Sequence, residues 1–192
     1  MRFNRYWLYP RVRNFKRILP VVVSGALIGG VYGAVHDQVS YTISPEYFTR
    51  FKFYQFQYAD LGLPPRGFVS VIGFLATWWM GAFVGWILAR IRFNSDDLLS
   101  ARRDILYGVV TVLCIVLLSA ALGAFVGYLR AYHFPLRTFL GWESELTAPA
   151  LRRFVVVGFL HNAEYLGGFI GLVIAIVRMK RRYAVKSAKI RH

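Results

Sequence analysis

The apolar positions of this chain gather into four long blocks, Ile18 to Val35, Gly67 to Ala89, Ile105 to Leu129 and Phe154 to Val177, with polar and basic residues between them. A helix crosses the hydrocarbon core with roughly 20 apolar residues, so each block is long enough to span once. A spanning segment must satisfy its own backbone, which makes these blocks helices. The pattern predicts an all-α membrane protein, four transmembrane helices in a bundle, as one integral membrane domain over residues 1–192. The first block follows a basic segment, as a secretory signal would. Its apolar run is longer than a signal core, however, and Tyr32 and His36 crowd the only passable cleavage position, Gly33. A retained anchor is expected.

Charge sets the direction of the helices. Of the 24 Lys and Arg, seventeen fall in the two tails and the loop between the second and third blocks, and seven in the other two loops. The positive-inside rule then places both termini in the cytoplasm. A net charge of +15 raises the question of nucleic acid, but the hydrophobic share is 57% and "RMKRRYAVKSAKIRH" does not alternate stacking aromatics with its charge. The expected partner of these tails is the lipid bilayer and its anionic headgroups, not nucleic acid.

Each block carries small residues four apart: Gly25, Gly29 and Gly33; Gly81 and Gly85; Gly123 and Gly127; Gly167 and Gly171, with Gly168 beside them. Such stripes let helix backbones approach closely in lipid, where hydrophobicity alone does not join helices. They point to a tight bundle, or to a homo-oligomer or packing on other membrane proteins. Cys114 lies inside the third block, where it reads as a small apolar side chain.

The loop at 36–66, "HDQVSYTISPEYFTRFKFYQFQYADLGLPPRG", is the most distinctive stretch. Ser44, Pro45 and Glu46 form a helix-start signature of capping hydroxyl, first-turn proline and acid. On a helix over about 45–58, Tyr47, Phe48, Phe51, Tyr54 and Tyr58 share one face, which predicts an interfacial aromatic helix on the outer surface. The run "HDQVSYTISPEYFTRFKFYQF" resembles a signature of small multi-pass membrane proteins of bacteria. That resemblance implies an inner-membrane location and carries no activity with it.

The fourth block is interrupted by "HNAE". Glu164 falls near its midpoint, and His161, three residues earlier, shares its face, continued by Gly168 and Gly171. A carboxylate at the centre of a lone helix costs on the order of 3 kcal/mol on insertion scales, so Glu164 should point into the bundle. Asn162 sits between them. If the first and fourth helices adjoin, His36 and Asp37 lie at the outer mouth of this polar stripe.

Three uses of these residues compete. They hydrogen-bond helices together; or Glu164, His161 and Asn162, with His36 and Asp37, form a proton or cation path; or His36, Asp37, His161 and Glu164 ligate a metal. His133, Glu143 and Glu145 are more remote metal candidates, and Asp96 and Asp97 could bind a divalent ion, although with Ser95 they also read as a helix start. No H-E-x-x-H, G-x-S-x-G, P-loop or dinucleotide fingerprint occurs, so the sequence leans away from an enzyme. The leading expectation is a small transport or permeation protein for a proton or cation. The alternative is a non-catalytic assembly or structural subunit of a membrane complex.

Overall fold

The computed structural model describes residues 12–93, 98–136 and 145–189, and every regular element among them is helical. Four long helices, Val12–Ile43, Pro65–Arg92, Leu98–His133 and Ala148–Lys189, follow one another in antiparallel order. Within them, Phe15–Ile43, Pro65–Arg92, Leu98–His133 and Ala148–Arg182 are each long and apolar enough to cross a membrane. The shortest has 28 residues, about 42 Å at 1.5 Å per residue, against a core of about 30 Å. Ser95, Asp96, Asp97 and Glu143 lie outside the described residues. His133 and Glu145 are exposed, as is Cys114 on the third helix.

The four helices form two hairpins. The first packs along the second and the third along the fourth, whereas the two hairpins meet over a smaller contact. Glycine makes the close approach possible within each. A Cβ placed on Gly73 would lie 2.6 Å from the carbonyl carbon of Gly33, and one on Gly29 would lie 3.0 Å from the Cα of Gly81. Thr77 Oγ1 crosses the same interface to the carbonyl of Gly29 at 2.8 Å. In the other hairpin Gly123 and Gly127 accommodate Phe159, and Gly167 and Gly171 accommodate Ser119 and Val112. Gly168 differs, because a Cβ there would meet nothing closer than 3.8 Å.

Two expectations are corrected. The first helix does not end at Val35 but continues to Ile43, so His36, Asp37 and Gln38 belong to a helix and not to the mouth of a loop. Nothing in "HDQVSYTI" interrupts a helix. The stop comes at Ser44, which is extended (φ −140°, ψ 92°) because a residue before proline is driven out of the helical region. Ser44 then caps the next turn, accepting from the Tyr47 amide at 3.3 Å.

The second correction concerns the loop itself. In place of one regular amphipathic helix over 45–58 there is a shorter helix over 45–55 whose middle, Phe48–Lys52, is wound as a π-helix, followed by a separate 3-10 turn at Gln57–Ala59. The supposed single aromatic face is divided. Tyr47 and Phe48 are buried against the first and fourth helices, Tyr54 and Tyr58 are exposed, and Phe56 packs with Phe68 and Ile72 of the second helix. Phe48 is wholly buried, edge-on to Tyr41 and Tyr47. Aromatic side chains of this size contribute most when buried, and here the protein interior offers that burial. The loop is tied to the start of the fourth helix by Glu46, whose Oε1 accepts from Arg153 at 2.9 Å.

Candidate functional site

The polar residues of the first and fourth helices converge between the two hairpins. Tyr32, His36 and Ser40 recur every four residues and therefore line one face of the first helix. The Tyr32 hydroxyl donates to Glu164 Oε1, and His36 Nδ1 lies 3.0 Å from the same oxygen. On the other edge of that ring, Nε2 is 3.0 Å from Ser40 Oγ. The result is a hydrogen-bonded chain along the first helix, Tyr32–Glu164–His36–Ser40, with its carboxylate supplied by the fourth. With Nδ1 donating to the carboxylate, Nε2 is the acceptor in neutral His36.

A second pair lies beside it. His161 Nε2 stands 3.8 Å from Asp37 Oδ1, and both residues are buried. That nitrogen has no hydrogen-bond partner among the described residues. The His161 ring is sandwiched by aromatic neighbours: Tyr47 stacks on it with centroids 5.2 Å apart and planes 7° apart, and His36 meets it edge-on at 5.2 Å. The first loop therefore serves as a cover over the site, with Tyr47 as its inner surface.

Lys52 projects from the same cover. It is 7% exposed, and its ammonium lies between 5.5 and 6.0 Å from the ring centres of Tyr47, Phe51 and Phe56. Burial pushes its pKa below the ordinary lysine value, partly offset by attraction to Asp37. Glu46, at the outer edge of the cover, is shifted the other way. Burial would raise it, but a backbone hydrogen bond, Arg153 and Ser44 together hold its carboxyl below the usual range.

These side chains line one end of a cavity of about 90 Å³. Tyr32, His36, Asp37, Lys52, His161 and Glu164 make its polar end, and Met80, Val84, Val112 and Val116 extend it between the hairpins. Gly168 borders it, and a Cβ there would have its nearest neighbour at 3.8 Å. Chemically the lining offers two imidazoles, two carboxylates and two phenols, those of Tyr32 and Tyr165, next to one buried ammonium. Such a set can bind or relay a cation.

Of the residues singled out in the sequence, Glu164, His161, His36 and Asp37 come together here. Asn162 does not. One residue beyond His161, it is turned about 100° around the helix, is exposed, and is not among the residues lining the cavity. Gln38 also leaves the site, bonding Ser70 Oγ at 2.8 Å and Arg66 to fix the first helix on the second.

Tyr32, Ser40, Lys52 and Tyr47 were missed. The four-residue spacing of Tyr32, His36 and Ser40 carried a readable signal for two of them. Lys52 and Tyr47 had none, because the π-wound helix that aims them inward replaces the regular helix the pattern implied.

The fold and the cluster define a multi-pass membrane protein with an ionisable site buried between two helical hairpins. In comparisons with protein-family models, curated proteins and solved structures, nothing matches the chain.

Proposed function

We propose that this protein is a small permeation or transport protein that handles a proton or other cation at the Tyr32, His36, Asp37, His161 and Glu164 cluster. The distribution of its basic residues supports both termini in the cytoplasm, and the resemblance of "HDQVSYTISPEYFTRFKFYQF" to small bacterial multi-pass proteins supports a bacterial inner membrane. The observation that carries the reading is the position of Glu164, shared between Tyr32 and His36 of the opposite hairpin on the wall of a cavity. An acid within a membrane span is costly unless a cation or hydrogen bonds compensate it, and such groups mark ion and proton paths. Here they face the smaller contact between the hairpins, covered on the loop side by Tyr47 and Lys52.

The alternative, an assembly subunit docking through its glycine stripes, has weaker support. Gly25, Gly29, Gly81, Gly123, Gly127, Gly167 and Gly171 are used inside the two hairpins, leaving little of those stripes for a partner. The test is reconstitution into vesicles under an imposed ion gradient, read by an internal pH or cation indicator. Glu164→Gln should abolish flux while leaving expression and elution volume unchanged. Equal flux from wild type and Glu164→Gln would end the transport reading.

A further inference from the structure

Beyond hydrogen bonding, three of these residues have the donor set of a transition-metal site. One nitrogen each from His36 and His161 and a carboxylate oxygen of Asp37 all lie within 4.8 Å of one another. Donors around a tetrahedral Zn²⁺ with bonds of about 2.0–2.1 Å stand about 3.4 Å apart, and His161 Nε2 and Asp37 Oδ1 are already at 3.8 Å. The remaining closure is within what side-chain torsions provide. We propose that His36, Asp37 and His161 bind a divalent first-row transition-metal ion, with Glu164 as the outer partner of His36 and an open position facing the cavity.

Three observations support this assignment. His161 is 7% exposed, and its Nε2, the atom nearest Asp37, has no hydrogen-bond partner among the described residues. A buried ring nitrogen in that condition loses its hydration without replacement, and coordination supplies the missing partner. Glu164 holds Nδ1 of His36 at 3.0 Å, the carboxylate contact that a metal-bound histidine's second nitrogen commonly makes. Ser40 Oγ, now 3.0 Å from Nε2, has a second acceptor in the His36 carbonyl at 3.3 Å and can release that nitrogen.

Two imidazoles and one carboxylate suit Zn²⁺ or Fe²⁺, whereas an all-oxygen set would suit Mg²⁺ or Ca²⁺. Lys52 lines the same cavity as Asp37, His36 and His161, so its ammonium charge opposes a metal ion there.

The proposal rests on the cluster being a cation site, and it names the cation. The full-length protein, purified in mild detergent, is exposed to micromolar Zn²⁺, gel-filtered and measured for bound zinc, with affinity from competition against a chromophoric chelator. One zinc per chain is expected in the wild type, with stoichiometric binding lost in His161→Ala and in the near-isosteric Asp37→Asn. Glu164→Gln should weaken binding 10- to 100-fold, and Lys52→Met should tighten it.

Should His161→Ala fail to purify, Asp37→Asn carries the test. No zinc uptake by the wild type, or equal uptake by Asp37→Asn, overturns the assignment. Vesicle flux is scored separately. Proton flux without zinc binding removes the metal and leaves the transport reading standing, while zinc binding with no flux of any cation does the reverse.

Discussion

The two glycines Gly73 and Gly168 make opposite predictions for the same substitution. In Gly73→Ala the new methyl would sit 2.6 Å from the carbonyl carbon of Gly33 and 2.9 Å from the Ala34 nitrogen, where carbon atoms prefer about 3.5–4.0 Å. Both are backbone atoms, so relief requires the first and second helices to separate by about 1 Å. Overpacking of this kind costs about 1–3 kcal/mol. Separation also stretches the Thr77 contact to Gly29, one turn away, at about 0.6 kcal/mol for an interhelical bond in a membrane. Alanine's better helix propensity returns about 0.8–1 kcal/mol. The sum is a net loss of about 1–3 kcal/mol.

At Gly168 the nearest atom is 3.8 Å away, an ordinary contact, so only the propensity gain remains and Gly168→Ala should be neutral or more stable by up to about 1 kcal/mol. Unfolding in a denaturing-detergent titration, followed by the fluorescence of the five tryptophans, measures both. A Gly73→Ala protein as stable as wild type, or a Gly168→Ala protein less stable than Gly73→Ala, would refute the packing argument.

Three further outcomes follow from particular contacts. Phe48→Ala removes a fully buried ring from the cover and should cost about 3–5 kcal/mol, with cover loosening seen as faster amide exchange near Tyr47. Asp104→Asn breaks its pair with Arg92, 2.7 Å apart with side chains 5% and 14% exposed. Loss of a charge-assisted contact this buried should cost about 1.5–3 kcal/mol by the same titration, and a variant as stable as the wild type would contradict that.

The Glu46–Arg153 pair is more exposed and should contribute less than about 1 kcal/mol. Since Glu46 has its pKa lowered in the fold, its contribution is present above the unfolded carboxylate pKa and disappears as pH falls through the folded one. Glu46→Gln should flatten that acid limb slightly, and 1 M salt should do the same.

The four spans were readable from block length alone, since a chain in hydrocarbon has few ways to satisfy its backbone. Span boundaries were less so. His36 to Ile43 mixes polar and apolar residues and looks like a loop by composition, yet it remains helical because the break belongs to Ser44 and Pro45. The inward face of Glu164 and His161 was legible from helical spacing, whereas their link to the first helix depended on whether the first and fourth helices adjoin, which spacing within one helix does not decide. Gly73 was missed although it continues the stripe of Gly81 two turns earlier.

The cover over the site was not legible. Tyr47, Phe48 and Lys52 point inward through a π-helical turn, whose wider winding breaks the periodicity from which faces are read. Such turns are frequent at functional sites.

Glu164 and His36, contributed by opposite hairpins and 3.0 Å apart, are proposed to act as one cation-handling unit. The most direct measurement is a double-mutant cycle on vesicle flux using variants that keep residual flux, His36→Gln, Glu164→Asp and the two combined. Residues acting as a unit are strongly non-additive, so each single variant should lose flux and the double should be no slower than the slower single. Wild-type flux in either single variant, or losses that multiply in the double, would contradict the account.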